Sequence, residues 1–115
     1  MRVQLQRVAH VRSGDKGDTS NITVIAYDAE LYEPLKAQLT PERLQQHYKG
    51  LITGPVLRYA VDHLWALNFV CHGALGGGVS RSLRLDNYGK SLSSALLGLE
   101  LELPDGLANH LRGPG

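Results

Sequence analysis

Cysteine occurs once in these 115 residues, at Cys71, and tryptophan and phenylalanine also occur only once each. A single thiol excludes an internal disulfide, and with it the stapled scaffolds of small secreted proteins. Charge of one sign is missing too, because twelve basic residues face eleven acidic ones for a formal net charge of +1. No overall field draws the chain to nucleic acid or to an acidic membrane surface, so any anion site has to be local. No apolar run is long enough to span a bilayer, and the start at Met1-Arg2-Val3 lacks the apolar region of a signal peptide. The expectation is a cytoplasmic protein. Repeats, low-complexity blocks and interdomain linkers are absent, and 43% hydrophobic content over this length suits one domain with a single core. His10, His47, His63, His72 and His110 are scattered, with no two at metal-ligand spacing and no second cysteine. Neither a metal nor a cofactor is expected.

Alternation is what the sequence does have, at both ends. Val3, Leu5, Ala9 and Val11 alternate with mostly polar neighbours, which predicts a half-buried strand interrupted at Arg7. Ile22, Val24 and Ala26 predict a second strand, so the charged run between them, "RSGDKGDTS", is read as a connecting loop. Leu31, Leu35 and Leu39 mark one face of a helix beginning near Asp28, and Thr40-Pro41 predicts the capped start of a shorter one ending near His47. "PVLRYAV" and "LWALNFVCH" read as a hairpin turning at Asp62-His63. The second strand looks apolar on both faces, with Trp65, Leu67 and Phe69 on one and Leu64, Ala66 and Val70 on the other, as in a central strand. "GALGGGVSRSLRLDNYG" reads as a glycine-rich loop. Leu92, Ala95 and Leu96 have helical spacing, and the alternation from Leu97 to Leu103 predicts a last strand; residues 105–115 are expected to be a weakly structured tail behind a domain of residues 1–104. An extra first strand followed by strand, helix, strand, strand, helix, strand is the order of an α+β, ferredoxin-like split βαβ sandwich, with helices on one face of a mainly antiparallel sheet.

Two stretches could carry chemistry. In "HVRSGDKGDTSNI", the glycines beside Asp15 and Lys16 could turn backbone N–H groups into one concavity, with Lys16 and Arg12 completing an anion cradle. The spacing is not that of a nucleotide triphosphate loop. The alternative is a polar connection in which Asp15, Asp18 and Asn21 cap their own turns. In "GALGGGVSRSLRLD", three consecutive glycines precede Ser80, Arg81, Ser82 and Arg84, and arginine is well shaped for carboxylate or phosphate. The alternative there is a flexible crossover with solvated arginines. Cys71 reads as an inert buried thiol, Ser13 and Ser80 lack a base held by a third group, and His72 is the best-placed general base. Asn68 is the oddity, an amide within an apolar strand that needs partners.

These residues carry a resemblance. "HVRSGDKGDTSNI", "LTPERLQQHYKG" and "LNFVCHGALGGGVSRSLRLDNYGKSLSSALL" resemble the small C-terminal domain of the acyclic terpene utilization AtuA-like family, over nearly the whole chain up to about Leu103. The resemblance implies a ferredoxin-like fold and an association with bacterial catabolism of terpenoids and other branched or short acyl compounds, often as coenzyme A thioesters. It brings no settled catalytic residues. Its signature positions here are Arg12, Ser13, Gly14, Asp15, Lys16, Gly17, Asn21, Asn68, Gly76, Gly77, Gly78, Ser80 and Arg81, carried as candidate anion- or partner-binding residues. The large domain that many relatives place in front of this one is missing from the sequence.

Two function classes fit. The chain is either the small subunit of an acyl-substrate enzyme, such as a hydratase or lyase, whose basic loops complete a site on a large companion, or a non-catalytic assembly module. Both predict a partner, because the sheet face opposite the helices needs a cover: a homo-oligomer or a complex with a separate AtuA-type chain, with an acyl or phosphate-bearing small molecule as possible ligand.

Overall fold

The computed structural model describes residues 1–16, 19–73 and 95–113. The first predicted strand is two strands. β1 (Arg2–Gln4) and β2 (Ala9–Lys16) are separated by a 3-10 turn over Leu5–Arg7, which is where the alternation breaks. β2 then pairs antiparallel with β3 (Thr19–Ala26) from Ala9↔Ala26 to Lys16↔Thr19. This overturns the reading of "RSGDKGDTS" as a loop. Arg12 to Lys16 and Thr19 to Asn21 lie in the ladder, because an antiparallel hairpin can close over two residues and its backbone groups find partners across the strands.

Capping residues start both helices as their chemistry requires. The Asp28 carboxylate accepts from the Leu31 amide at 2.9 Å ahead of α1 (Ala29–Gln38), and the Thr40 hydroxyl accepts from the Arg43 amide at 3.1 Å ahead of α2 (Pro41–His47). β4 (Val56–Val61) leads through a 3-10 turn over Asp62–Leu64 to β5 (Ala66–His72). Trp65 joins the two with φ 55°, so Leu64 and Trp65 belong to the turn, where both are exposed, and not to the strand. β6 (Glu100–Glu102) pairs with β1, Arg2↔Glu102 to Gln4↔Glu100, as a separate two-stranded sheet.

The main sheet has the order β2-β3-β5-β4, all antiparallel. β5 lies between β3 and β4, which is the pairing of a split βαβ, so the fold is α+β and ferredoxin-like. β2 occupies the place beside β3 that the last strand of such a fold would take, and β6 is displaced onto β1. One face of the sheet is the core. Ile22 is opposite Phe69 and Val24 opposite Leu67, all fully buried under Leu31, Tyr32 and Leu35 of α1, Leu44 of α2, and Leu39 and Tyr48 beyond the two helices. Burying each large apolar side chain of this kind contributes about 1.5–3 kcal/mol. Leu99, Leu101 and Leu103 extend the same core from the second sheet while Glu100 and Glu102 stay outside.

The chain after Pro104 is more ordered than a weak tail. Asp105–His110 forms a 3-10 helix, the His110 ring nitrogen Nδ1 lies 2.7 Å from the Asp28 carboxylate, and the Arg112 amide donates to the Arg7 carbonyl at 2.9 Å. Nothing local in residues 105–115 announces a contact made so far back along the chain. Burial works to raise the Asp28 carboxyl, but the hydrogen bonds from His110 and the Leu31 amide outweigh it and hold the group below its ordinary value.

Two predictions follow from these contacts. A carboxylate held low when folded stabilises the protein above its unfolded value of about 3.9, and that contribution is lost as pH falls through the lowered folded value. Asp28→Asn keeps a capping acceptor but not the charge, so its urea midpoint should fall below wild type at neutral pH and converge with it in strong acid. Gly54 presses on the end of β5, where an added Cβ would come 2.5 Å from the His72 carbonyl oxygen, whereas one on Gly98 would meet nothing within 4 Å. Gly54→Ala should cost about 1–3 kcal/mol in urea titration. Gly98→Ala should change stability by about 0.5 kcal/mol or less.

Candidate ligand-binding face

Alternation along paired strands sends every second residue to the face away from the helices. On that face one row crosses all four strands: Arg12 is opposite Thr23, Thr23 opposite Asn68, and Asn68 opposite Tyr59. With neighbouring strands about 4.8 Å apart, the row runs about 14 Å. Asn68 Nδ2 donates to Thr23 Oγ1 at 3.2 Å, which gives the half-buried amide its partner and leaves a second N–H and the carbonyl oxygen as hydrogen-bonding capacity. Arg12 and Tyr59 are exposed at the two ends.

The rows on either side add mixed chemistry. Toward the hairpin end, Gly14, Asn21, Val70 and Leu57 align, followed by Lys16, Thr19 and His72; toward the other end come His10, Ile25, Ala66 and Val61. His10, Asn21 and His72 are exposed. The His10 ring meets Tyr27 edge to face with centroids 4.7 Å apart, and the Arg112 guanidinium lies 5.0 Å from the same Tyr27 ring, so a further cation stands at this rim. Among the described residues no aspartate or glutamate occupies an outward position of these rows. The face is therefore locally cationic and rich in donors in a chain of nearly balanced charge.

β5 is central, as expected, but it is not apolar on both sides. With Leu64 in the turn, its outward residues are Ala66, Asn68, Val70 and His72. Of the candidate site residues, Arg12, Gly14, Asn21 and Asn68 gather on the outward face. Ser13 has the opposite parity and pairs with Ile22; Asp15 and Lys16 pair with Ser20 and Thr19 at the end of the ladder. Gly14 is a ladder residue that accepts the Ser20 hydroxyl at 3.3 Å, and an added Cβ would meet nothing within 4 Å. The cradle reading thus gives way, at this glycine, to a flat strand. Gly17 lies outside the described residues, as do Gly76, Gly77, Gly78, Ser80 and Arg81. Thr23 and Tyr59 escaped the sequence reading, because only the strand order shows that they share a row with Arg12 and Asn68.

The family model of the AtuA ferredoxin-like domain matches residues 3–102. This chain belongs to that family. No curated protein and no solved structure gives a match.

Elsewhere on this AtuA ferredoxin-like domain, reactive groups are engaged in holding the fold. A groove of about 340 Å³ between α2 and residues 98–100 contains Arg43, which donates to the Glu100 carbonyl, and His47, whose Nε2 lies 2.8 Å from the Ala95 carbonyl. In a second, of about 380 Å³, the Arg58 guanidinium donates to the carbonyls of Lys36 and Leu39, and Lys36 pairs with Asp62 at 2.9 Å. Burial, together with the hydrogen bond to Asp62, pushes the Tyr32 hydroxyl up to about 12. Cys71 is fully buried on the core face, and burial pushes its thiol up to about 11. Among the described residues no three His, Cys, Asp or Glu side chains gather as a metal site, and no helix is long and apolar enough to cross a membrane. The arrangement can bind by charge and hydrogen bonding.

A thiol so placed should label with a disulfide reagent only as the protein unfolds, and addition of urea should bring the rate up to that of a free cysteine. Asn68→Ala should cost only about 1 kcal/mol in urea titration, the net worth of one hydrogen bond. A far larger loss would make the amide a structural element of the sheet.

Proposed function

We propose that this domain is an accessory binding subunit in the catabolism of acyl compounds, working in the cytoplasm beside a large AtuA-type companion. Its outward sheet face receives the anionic end of the substrate, a carboxylate or the phosphates of a coenzyme A thioester, while the companion carries the hydratase or lyase chemistry. The observation that supports this reading is the Arg12–Thr23–Asn68–Tyr59 row on a face where the described residues place no outward carboxylate. Arginine supplies a permanently charged fork for a carboxylate or phosphate, the amide and hydroxyls fix the orientation, and the aromatic end offers apolar contact to an acyl chain. A shallow face of this kind leaves one side of a ligand open. A companion surface would close it.

Calorimetry with a short-chain acyl coenzyme A, its free acid and inorganic phosphate tests the reading. Binding of the thioester should weaken about tenfold or more in Arg12→Ala, with the melting temperature unchanged. Equal affinity in wild type and Arg12→Ala, or no binding of any of the three probes with or without the companion, would overturn it.

A further inference from the structure

The two edges of the main sheet are guarded very differently. β2 carries His10, Arg12, Gly14 and Lys16, charges and a glycine of the kind that discourages a further strand from pairing. β4 carries one charge, Arg58, and that guanidinium is turned to α1, donating to the Lys36 carbonyl at 2.8 Å and the Leu39 carbonyl at 2.9 Å. Its pairing with β5 runs unbroken from Val56↔Cys71 to Val61↔Ala66, without a bulge, and no proline lies within it. Among the described residues, no hydrogen bond reaches the β4 backbone on the side away from β5.

The exposed apolar surface concentrates at the same edge. Among the described residues the exposed large hydrophobics are Leu57, Tyr59, Leu64 and Trp65, two on β4 and two in the turn that leaves it. Trp65 takes φ 55°, a left-handed conformation unfavourable for so bulky a side chain, and the turn fixes it there with the Trp65 amide donating to the Asp62 carbonyl at 3.1 Å.

We infer that β4 is the dimerisation edge of this domain and that its occupant is the β4 strand of a second copy, paired antiparallel about a two-fold axis at Tyr59. The strand is complementary to itself in that register. Leu57 lies opposite the second copy's Val61 and Tyr59 opposite the second copy's Tyr59, so the outward row is apolar throughout. Arg58 lies opposite the second copy's Ala60, which keeps the two guanidinium groups out of register, whereas a shift to Arg58 against Arg58 would oppose like charges. The same register carries Leu64 and Trp65 of each copy past the end of the ladder, alongside the start of the other copy's β4. Two four-stranded sheets become one of eight strands; Tyr59, the end of the outward row, then lies at the two-fold axis, while Arg12, Thr23 and Asn68 stay open. The inference is argued from the edge alone and does not rest on the ligand reading.

Sedimentation across the low-micromolar to high-micromolar range should show a concentration-dependent dimer of the full chain. Leu57→Lys, which adds a charge to an exposed position, should weaken the dimer about tenfold or more while leaving circular dichroism and melting unchanged. Asn21→Lys, on the outward face away from β4, should leave it intact. Hydrogen exchange in the wild type gives a second readout without any mutation: the amides of Arg58 and Ala60, which face away from β5, should be protected at high concentration and exchange on dilution. A chain that stays monomeric at high-micromolar concentration overturns the inference, as do Arg58 and Ala60 amides already protected in the monomer, or a dimer that survives Leu57→Lys and dissolves in Asn21→Lys.

Discussion

The antiparallel register between β3 and β5 is the constraint on which both sides of this molecule depend, since it sets Ile22 against Phe69 inside and Thr23 against Asn68 outside. A slip of one residue would turn every side chain of one strand to the other face, exposing Phe69 and burying Asn68. The slip is opposed twice over. Two apolar cross-strand contacts, Ile22 with Phe69 and Val24 with Leu67, would leave the core, and an amide would enter it without its threonine partner, which is costly in a low-dielectric interior. The hydrogen bond between Asn68 and Thr23 is modest in itself, yet it stands in the one place where it penalises the wrong register.

Local physics was legible in the sequence wherever the causes are local. The Asp28 and Thr40 caps, the four-residue leucine spacing of α1 and the alternation of Ile22, Val24 and Ala26 each identify an element, and the structure contains all of them. The ferredoxin-like class followed from their order. Long-range pairings were not legible. Nothing near Val3 says that it pairs with Leu101, and nothing near Asp28 says that His110 will reach it, so the last strand's place and the docked 3-10 helix could not be read off.

The candidate site divides along the same line. Asn68 stood out because an amide in an apolar strand violates the local pattern, and Arg12 because it sits in a charged run. Tyr59 looked like an ordinary strand residue. It joins the row through two pairings, β3 with β5 and β5 with β4, which together bring Tyr59 into line with Thr23, thirty-six residues away. Charge density misled in the other direction. A run with two aspartates, a lysine and two glycines resembles a ligand loop, but alternating polar residues are equally compatible with a hairpin arm exposed on one face, and the ladder chose that outcome.

Within the described residues the sheet is covered on one side only, so the candidate site of so small a domain is a surface and not a pocket. The helices α1 and α2 and the β1–β6 pair supply apolar cover for one face, and the remaining chain within the described residues is engaged as caps and clasps, with Arg58 on α1, Arg43 on the β6 carbonyl and His110 on Asp28. Cations employed in this way satisfy backbone and carboxylate groups and are not available to a ligand. Those on the outward face satisfy none of these duties. Within the described residues, a protein of nearly balanced charge places Arg12 and the ring-stacked Arg112 at one face of the sheet and its exposed large apolar side chains along one edge of it, two surfaces of different chemistry that meet at Tyr59. Electrostatic attraction at the face acts over several ångströms and depends on salt, whereas apolar contact at the edge needs close fit and depends little on salt. Ionic strength should therefore weaken an anion held at the face before it loosens a strand held at the edge, which distinguishes the two proposed contacts.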